Sequence, residues 1–157
     1  MLDFESLKLE RAGLPDLETF NARDGEALSF RFYKTTGNAK DLILLLHGSS
    51  YHGTYLNSLA KALQGKGNVC VPNLRGHHMS GRYRGHCSYP GQLEDDLSDL
   101  IKHLGYDHAI FVGHSSGGGL AVRFSDGLYS SQVQKLILLA PAIPRTASIR
   151  NESSGAC

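Results

Sequence analysis

His108-Ala109-Ile110-Phe111-Val112-Gly113-His114-Ser115-Ser116-Gly117-Gly118-Gly119 is the stretch that decides how this chain folds. Its apolar first half reads as a strand buried in a sheet, its centre as an abrupt turn, and its end as the start of a helix. Gly113-His114-Ser115-Ser116-Gly117 has the G-x-S-x-G pattern of a nucleophile elbow. In such a turn the serine is held in a strained backbone conformation. Its hydroxyl stands clear of both flanking elements, at the positive end of the following helix. Gly113 and Gly117 have a steric reason to be there, because a side chain at either position would collide as strand and helix close on each other. The pentapeptide alone also fits a plain strand–turn–helix corner, so its meaning rests on its surroundings.

Upstream, Leu17–Phe20 and Leu28–Tyr33 alternate apolar and polar residues on either side of Asp24-Gly25, which predicts a β-hairpin. Leu42-Ile43-Leu44-Leu45-Leu46 is a continuous apolar run, as expected for a strand covered on both faces, and it stops at His47-Gly48-Ser49. Tyr55, Leu56, Leu59, Ala60 and Leu63 share one helical face. Asn68–Pro72 is a short strand, followed by a glycine-, arginine- and tyrosine-rich loop to residue 91. A second helix turns Leu93, Leu97, Leu100, Ile101 and Leu104 inward and Asp95, Asp96 and Asp99 outward. Beyond the elbow its helix runs to Gly127, and Leu136–Ala140 reads as one more buried strand. A hairpin followed by alternating strands and helices predicts an α/β fold, a mostly parallel sheet with helices on both faces. Residues 1–16 form a lead-in, 17–144 the core and 145–157 a polar tail.

In such sheets ligands bind beyond the carboxyl ends of the strands, where the His47 loop, the loop at 73–80 and Ser115 all fall. Cleaving an ester or amide requires a nucleophile, a base and donors for the oxyanion that forms. Ser115 is the candidate nucleophile. The backbone N–H groups of Ser116 and Ser49 are the candidate oxyanion donors, with Gly48 allowing close approach. His47 is expected to buttress its loop rather than to ionise, and His114, Gly113 and Gly117 support the turn.

The 157 residues carry a net charge of +1 and 20% charged side chains, which gives no reason to expect a nucleic-acid partner or a polybasic membrane surface. No stretch reaches the length of a membrane span, and the first residues lack a secretory pattern, so a cytoplasmic protein is expected. Cys70, Cys87 and Cys157 lack C-x-x-C spacing, and no helical histidine pair is present. Neither a metal nor a cofactor is therefore expected. Arg75, Arg82 and Arg84 have the charge to attract an anionic head group or carboxylate, but read first as a solvated basic loop.

Three blocks, Leu44-Leu45-Leu46-His47-Gly48, Asn73-Leu74-Arg75-Gly76-His77-His78-Met79-Ser80 and Gly113-His114-Ser115-Ser116-Gly117-Gly118, occur in the order found in α/β-hydrolases. The chain resembles the N-terminal part of that superfamily, in the lysophospholipase, monoacylglycerol lipase and serine aminopeptidase-like branch. The resemblance covers roughly residues 17–143. It implies a serine hydrolase acting on a small-molecule carboxylic ester such as an acylglycerol or lysophospholipid-like substrate. Two departures stand out. Asn73 and His78 occupy positions where the family has aspartate and glycine, which puts the stability of that loop in question. The family also places its acid and histidine after further strands, and no histidine follows Ser115 here. The resemblance thus implies an α/β-hydrolase fold incomplete at its C-terminus. Three readings follow: a hydrolase whose base is lost or supplied by another chain, an inactive binding or interaction module, and an unstable fragment with no function of its own. The strand at Leu136–Ala140 is expected to leave an apolar edge open to self-association.

Overall fold

Alternation along a single strand sets up the whole architecture. In the computed structural model, which describes residues 12–49 and 51–143, Leu42–Leu46 (β3) is buried at every position. Leu42, Leu44 and Leu46 enter one core with Phe30, Phe111 and Phe124. Ile43 and Leu45 enter a second with Val71, Leu56 and Ala60. A strand whose side chains are apolar on both faces needs cover on both. Asn57–Leu63 (α1), led in by a 3-10 turn at Gly53–Leu56, packs on one face. Gln92–His103 (α2) and Ser116–Asp126 (α3) pack on the other.

The sheet has six strands in the order β1-β2-β4-β3-β5-β6. Leu17–Asn21 (β1) and Ala27–Tyr33 (β2) form the expected antiparallel hairpin. Asn68–Pro72 (β4) lies antiparallel to β2 and parallel to β3. Ala109–His114 (β5) and Val133–Leu139 (β6) continue the parallel part. From β3 the chain crosses to β4 on one side, then returns past β3 to β5 on the other. The strand order reverses there, which opens a crevice at the carboxyl ends of β3 and β5. The β3 loop and Ser115 sit in it.

Three expectations need correction. Asp96 does not face solvent, and Arg75 is not a solvated loop residue, because the two are buried against each other. Arg75 Nε and Nη2 donate to the Asp96 carboxylate at 2.7 and 2.8 Å, and Nη1 reaches Asp24 in the hairpin turn at 3.0 Å. One guanidinium therefore joins the hairpin, the β4 loop and α2. The final strand begins three residues earlier than the apolar run indicates and is only partly covered. Ile137 is 40% and Leu139 37% exposed, because among the described residues no strand lies beyond β6. The lead-in at 1–16 falls mostly, and the tail at 145–157 wholly, outside the described residues.

Two outcomes are expected. Asp96→Asn leaves a buried guanidinium short of its partner and costs about 3 kcal/mol, read from urea unfolding; a loss below about 1 kcal/mol would count against the pair as a structural tie. The open β6 edge makes the chain associate as concentration rises, and Ile137→Lys shifts it toward monomer in size-exclusion chromatography with light scattering. A monomer at every concentration would contradict this.

Candidate active site

Ser115 occupies the corner between β5 and α3 with φ +54° and ψ −121°, a conformation that L-residues rarely adopt. The strain is held by hydrogen bonds on both sides. The Ser115 N–H donates to the Leu139 carbonyl at 3.2 Å, and the Ser115 carbonyl accepts from the N–H groups of Gly118 at 3.0 Å and Ala142 at 2.8 Å. A Cβ added at Gly113 would lie 2.5 Å from the Gly117 carbonyl oxygen, so strand and helix meet there as the sequence implies. Gly117 answers to a different neighbour. Its Cβ would strike the His47 and Leu46 carbonyl oxygens of β3 and its loop at 2.5 and 2.6 Å. The first turn of α3 is thus pressed onto the strand beside the elbow as well as onto its own.

This contact brings the β3 loop to the serine. A Cβ at Gly48 would stand 3.1 Å from Ser115 Cβ. Ser49 Oγ donates to Ser116 Oγ at 2.8 Å across the crevice, so the two candidate donor residues are neighbours in space. Among the described residues, neither the Ser49 nor the Ser116 N–H is bonded to a protein acceptor. The Ser116 N–H, in the first turn of α3, has no partner within the helix. Ser115 Oγ has no side-chain partner among the described residues. Of the acids after Ser115, Asp126 closes α3 at the end away from the serine, and Glu152 lies outside the described residues.

His47 is fully buried and its two ring nitrogens have opposite duties. The Leu74 N–H donates to Nε2 at 2.9 Å, so that nitrogen carries no proton. Nδ1 must then hold the hydrogen and donate it to the Gly48 carbonyl, 2.8 Å away. Burial pushes the imidazole down to about 4. The ring is a neutral cross-link between the β3 and β4 loops. His114 points to the other side of the elbow, where its Nδ1 lies 2.7 Å from the Tyr55 hydroxyl. That hydroxyl also accepts from the Gly48 N–H at 2.9 Å. Tyr55 escaped the sequence reading, which saw only an apolar helical face. The available signal was a hydroxyl on that face, which needs a partner once buried.

Asn73 is satisfied where its replacement of an acid raised a question. Its Oδ1 accepts from the Gly53 N–H at 2.8 Å and its Nδ2 donates to Ser29 Oγ at 2.9 Å. His78 takes a positive φ of 44° and is exposed at the glycine position. His77 and His78 part as adjacent residues do: His77 packs its ring on His47 and His78 stacks on His52.

A doubly wound sheet, a strained serine at the end of β5 and a β3 loop laid beside it define an α/β-hydrolase core. The chain belongs to the family described as "Serine aminopeptidase, S33", whose model matches residues 37–153. It is 32% identical over 120 residues to epoxide hydrolase 1 of Caenorhabditis elegans, covering 76% of this chain and 29% of that protein. Identity to a non-heme haloperoxidase of Rhodococcus erythropolis is 27% over 135 residues, 85% of this chain and 47% of that protein. Among solved structures, a thermophilic esterase from Thermogutta terrifontis superposes with a TM-score of 0.65 at 26% identity, covering 80% of this chain and 46% of that one. The chain therefore spans less than half the length of each of these relatives. No helix among the described residues is long and apolar enough to cross a membrane.

The His47 cross-link has a pH signature. The folded chain keeps this ring neutral down to about pH 4, whereas the unfolded chain protonates it near 6.5. Between those values the unfolded state binds more protons, so stability falls on acidification, by about 2 kcal/mol from pH 7.5 to 5. Urea unfolding across that range checks the slope. A flat profile would contradict the buried neutral ring.

Proposed function

We propose that this chain carries the nucleophile and oxyanion hole of a serine hydrolase that cleaves carboxylic esters, of acylglycerol or lysophospholipid-like type. The observation that carries the reading is the strained Ser115 beside two N–H groups, those of Ser49 and Ser116, that find no protein acceptor among the described residues. Ser115 Oγ attacks the ester carbonyl carbon as its proton passes to a base, and the carbonyl oxygen becomes an oxyanion between the two N–H groups. Collapse expels the alcohol, which takes up the proton, and leaves an acyl-serine for water to cleave. One such donor is worth roughly 3 kcal/mol in the transition state. An ester is favoured by the likeness to the Thermogutta esterase. The other relatives are named for different reactions, so family alone does not fix the substrate.

His47 is excluded as the base, since Leu74 and Gly48 engage both its nitrogens, and His114 is engaged by Tyr55. The base comes from another histidine upstream of Ser115, from a second chain or from outside the described residues. No cofactor is needed for serine acyl transfer. Cytoplasmic placement belongs to the same proposal and rests on composition alone. The lack of a histidine on Ser115 Oγ favours a second reading, an inactive module that keeps the pocket floor.

A fluorophosphonate probe separates the two, because it reacts where a serine is activated and its oxyanion held. The expected result is labelling of the chain that disappears in Ser115→Ala. A folded sample that stays unlabelled would overturn the enzyme reading and leave the binding module.

A further inference from the structure

We propose that the cleft between the β3 and β4 loops is an anion subsite that holds a phosphate head group of the substrate. The proposal deepens the ester-hydrolase reading, and its binding step can be tested apart from it. The cleft, of about 490 Å³, is lined by Tyr51, His52, His77, His78 and Arg84, with backbone from Gly76 and Gly85. None of these residues is acidic. His77 Nδ1 is engaged by the Arg75 carbonyl at 3.1 Å and His52 Nδ1 by the Thr54 N–H. The donors that face this space therefore come from the Arg84 guanidinium, from His78 and from the second ring nitrogen of His77 when that ring is protonated. This set suits the several oxygens of a tetrahedral phosphate. No three metal-ligating side chains converge among the described residues, so the cluster is not read as a cation site.

The cleft stands on a closed frame. The Gly85 N–H donates to the Gly76 carbonyl at 3.0 Å and the Gly76 N–H to the Ser80 carbonyl at 2.8 Å, while the His77 N–H donates to the Leu74 carbonyl at 3.0 Å. A Cβ at Gly76 would lie 2.6 Å from the Gly85 nitrogen, so the loop folds back on itself in direct contact. Arg75, at its base, is fixed by the buried Asp96. On this frame His78 takes its left-handed conformation and stacks on His52, ring centroids 4.6 Å apart. The strain is maintained at the rim of a cavity, where it holds an imidazole in place.

The cleft also borders the serine's own loop. The His77 ring lies 5.0 Å from that of His47, and Tyr51 lies 5.3 Å from Tyr55, whose hydroxyl binds Gly48. One face of the β3 loop thus lines the cleft, and its Gly48 meets Ser115. The proposal places the phosphate in the cleft while the ester of the same substrate lies at Ser115.

The test follows the imidazole C–H resonances of His77 and His78 by NMR during titration with inorganic phosphate, against sodium chloride at equal ionic strength. Saturable shifts are expected that weaken about fivefold or more in Arg84→Ala and persist in Ser115→Ala. Short-chain 1-O-butylglycerol 3-phosphate is expected to bind about tenfold more tightly than phosphate and to slow fluorophosphonate labelling of Ser115, while neutral 1-O-butylglycerol does neither. Shifts that match sodium chloride, or that ignore Arg84→Ala, would overturn the subsite. Equal affinity for phosphate and its butylglycerol ester would overturn its role as a head-group site. If the shifts occur in a chain that no probe labels, the subsite holds and the serine reading falls.

Discussion

The structure depends on how closely a helix can be brought to a strand. The first turn of α3 rests on the carbonyl oxygens of Leu46 and His47, and nothing larger than a hydrogen fits at Gly117. That approach sets where β3 ends, where its loop turns and how near Gly48 comes to Ser115. It also explains why an unfavourable backbone conformation survives at the serine. Hydrogen bonds to the Leu139 carbonyl and from the Gly118 and Ala142 N–H groups fix the peptide groups around it, so relaxing Ser115 would break several contacts at once.

Around this contact the loops are joined by side chains that use every polar atom they have. His47 ties the β3 loop to Leu74, Tyr55 ties Gly48 to His114, and Asn73 ties the β4 loop to Ser29 and Gly53. Arg75 adds a buried ionic link from the same loop to α2 and the hairpin. Each of these groups would be costly to bury alone, and each is paired. The crevice is therefore framed by loops whose polar side chains tie them to one another and to the sheet.

How much of this could be read from the sequence depends on the range of the interaction. β3, the hairpin at Asp24-Gly25 and the serine corner are legible because period, turn chemistry and steric demand act within a few residues. Asp96 was misread because helical periodicity places it with Asp95 and Asp99, while the guanidinium that draws it inward lies in another loop. The start of β6 at Val133 is equally illegible, since the continuous apolar run begins only at Leu136. Asn73 shows the reverse case. A departure from the family pattern looked like a weakness, but Ser29 accepts the hydrogen that an amide has and a carboxylate lacks. Within the site, Ser115, Gly113 and Gly117 were readable from the motif. Tyr55 required knowing where its hydroxyl ends.

The position of β3 in the sheet also has a consequence in time. Ile43 pairs with Val69 on one side and with Ile110 on the other, so its second neighbour emerges long after its first. During synthesis the most apolar strand of the chain must wait, half-paired, until β5 leaves the ribosome. A parallel pairing of such long range closes slowly. For that interval Leu42–Leu46 is the segment a chaperone would meet first, and the strand that anchors the finished sheet is the nascent chain's greatest hazard.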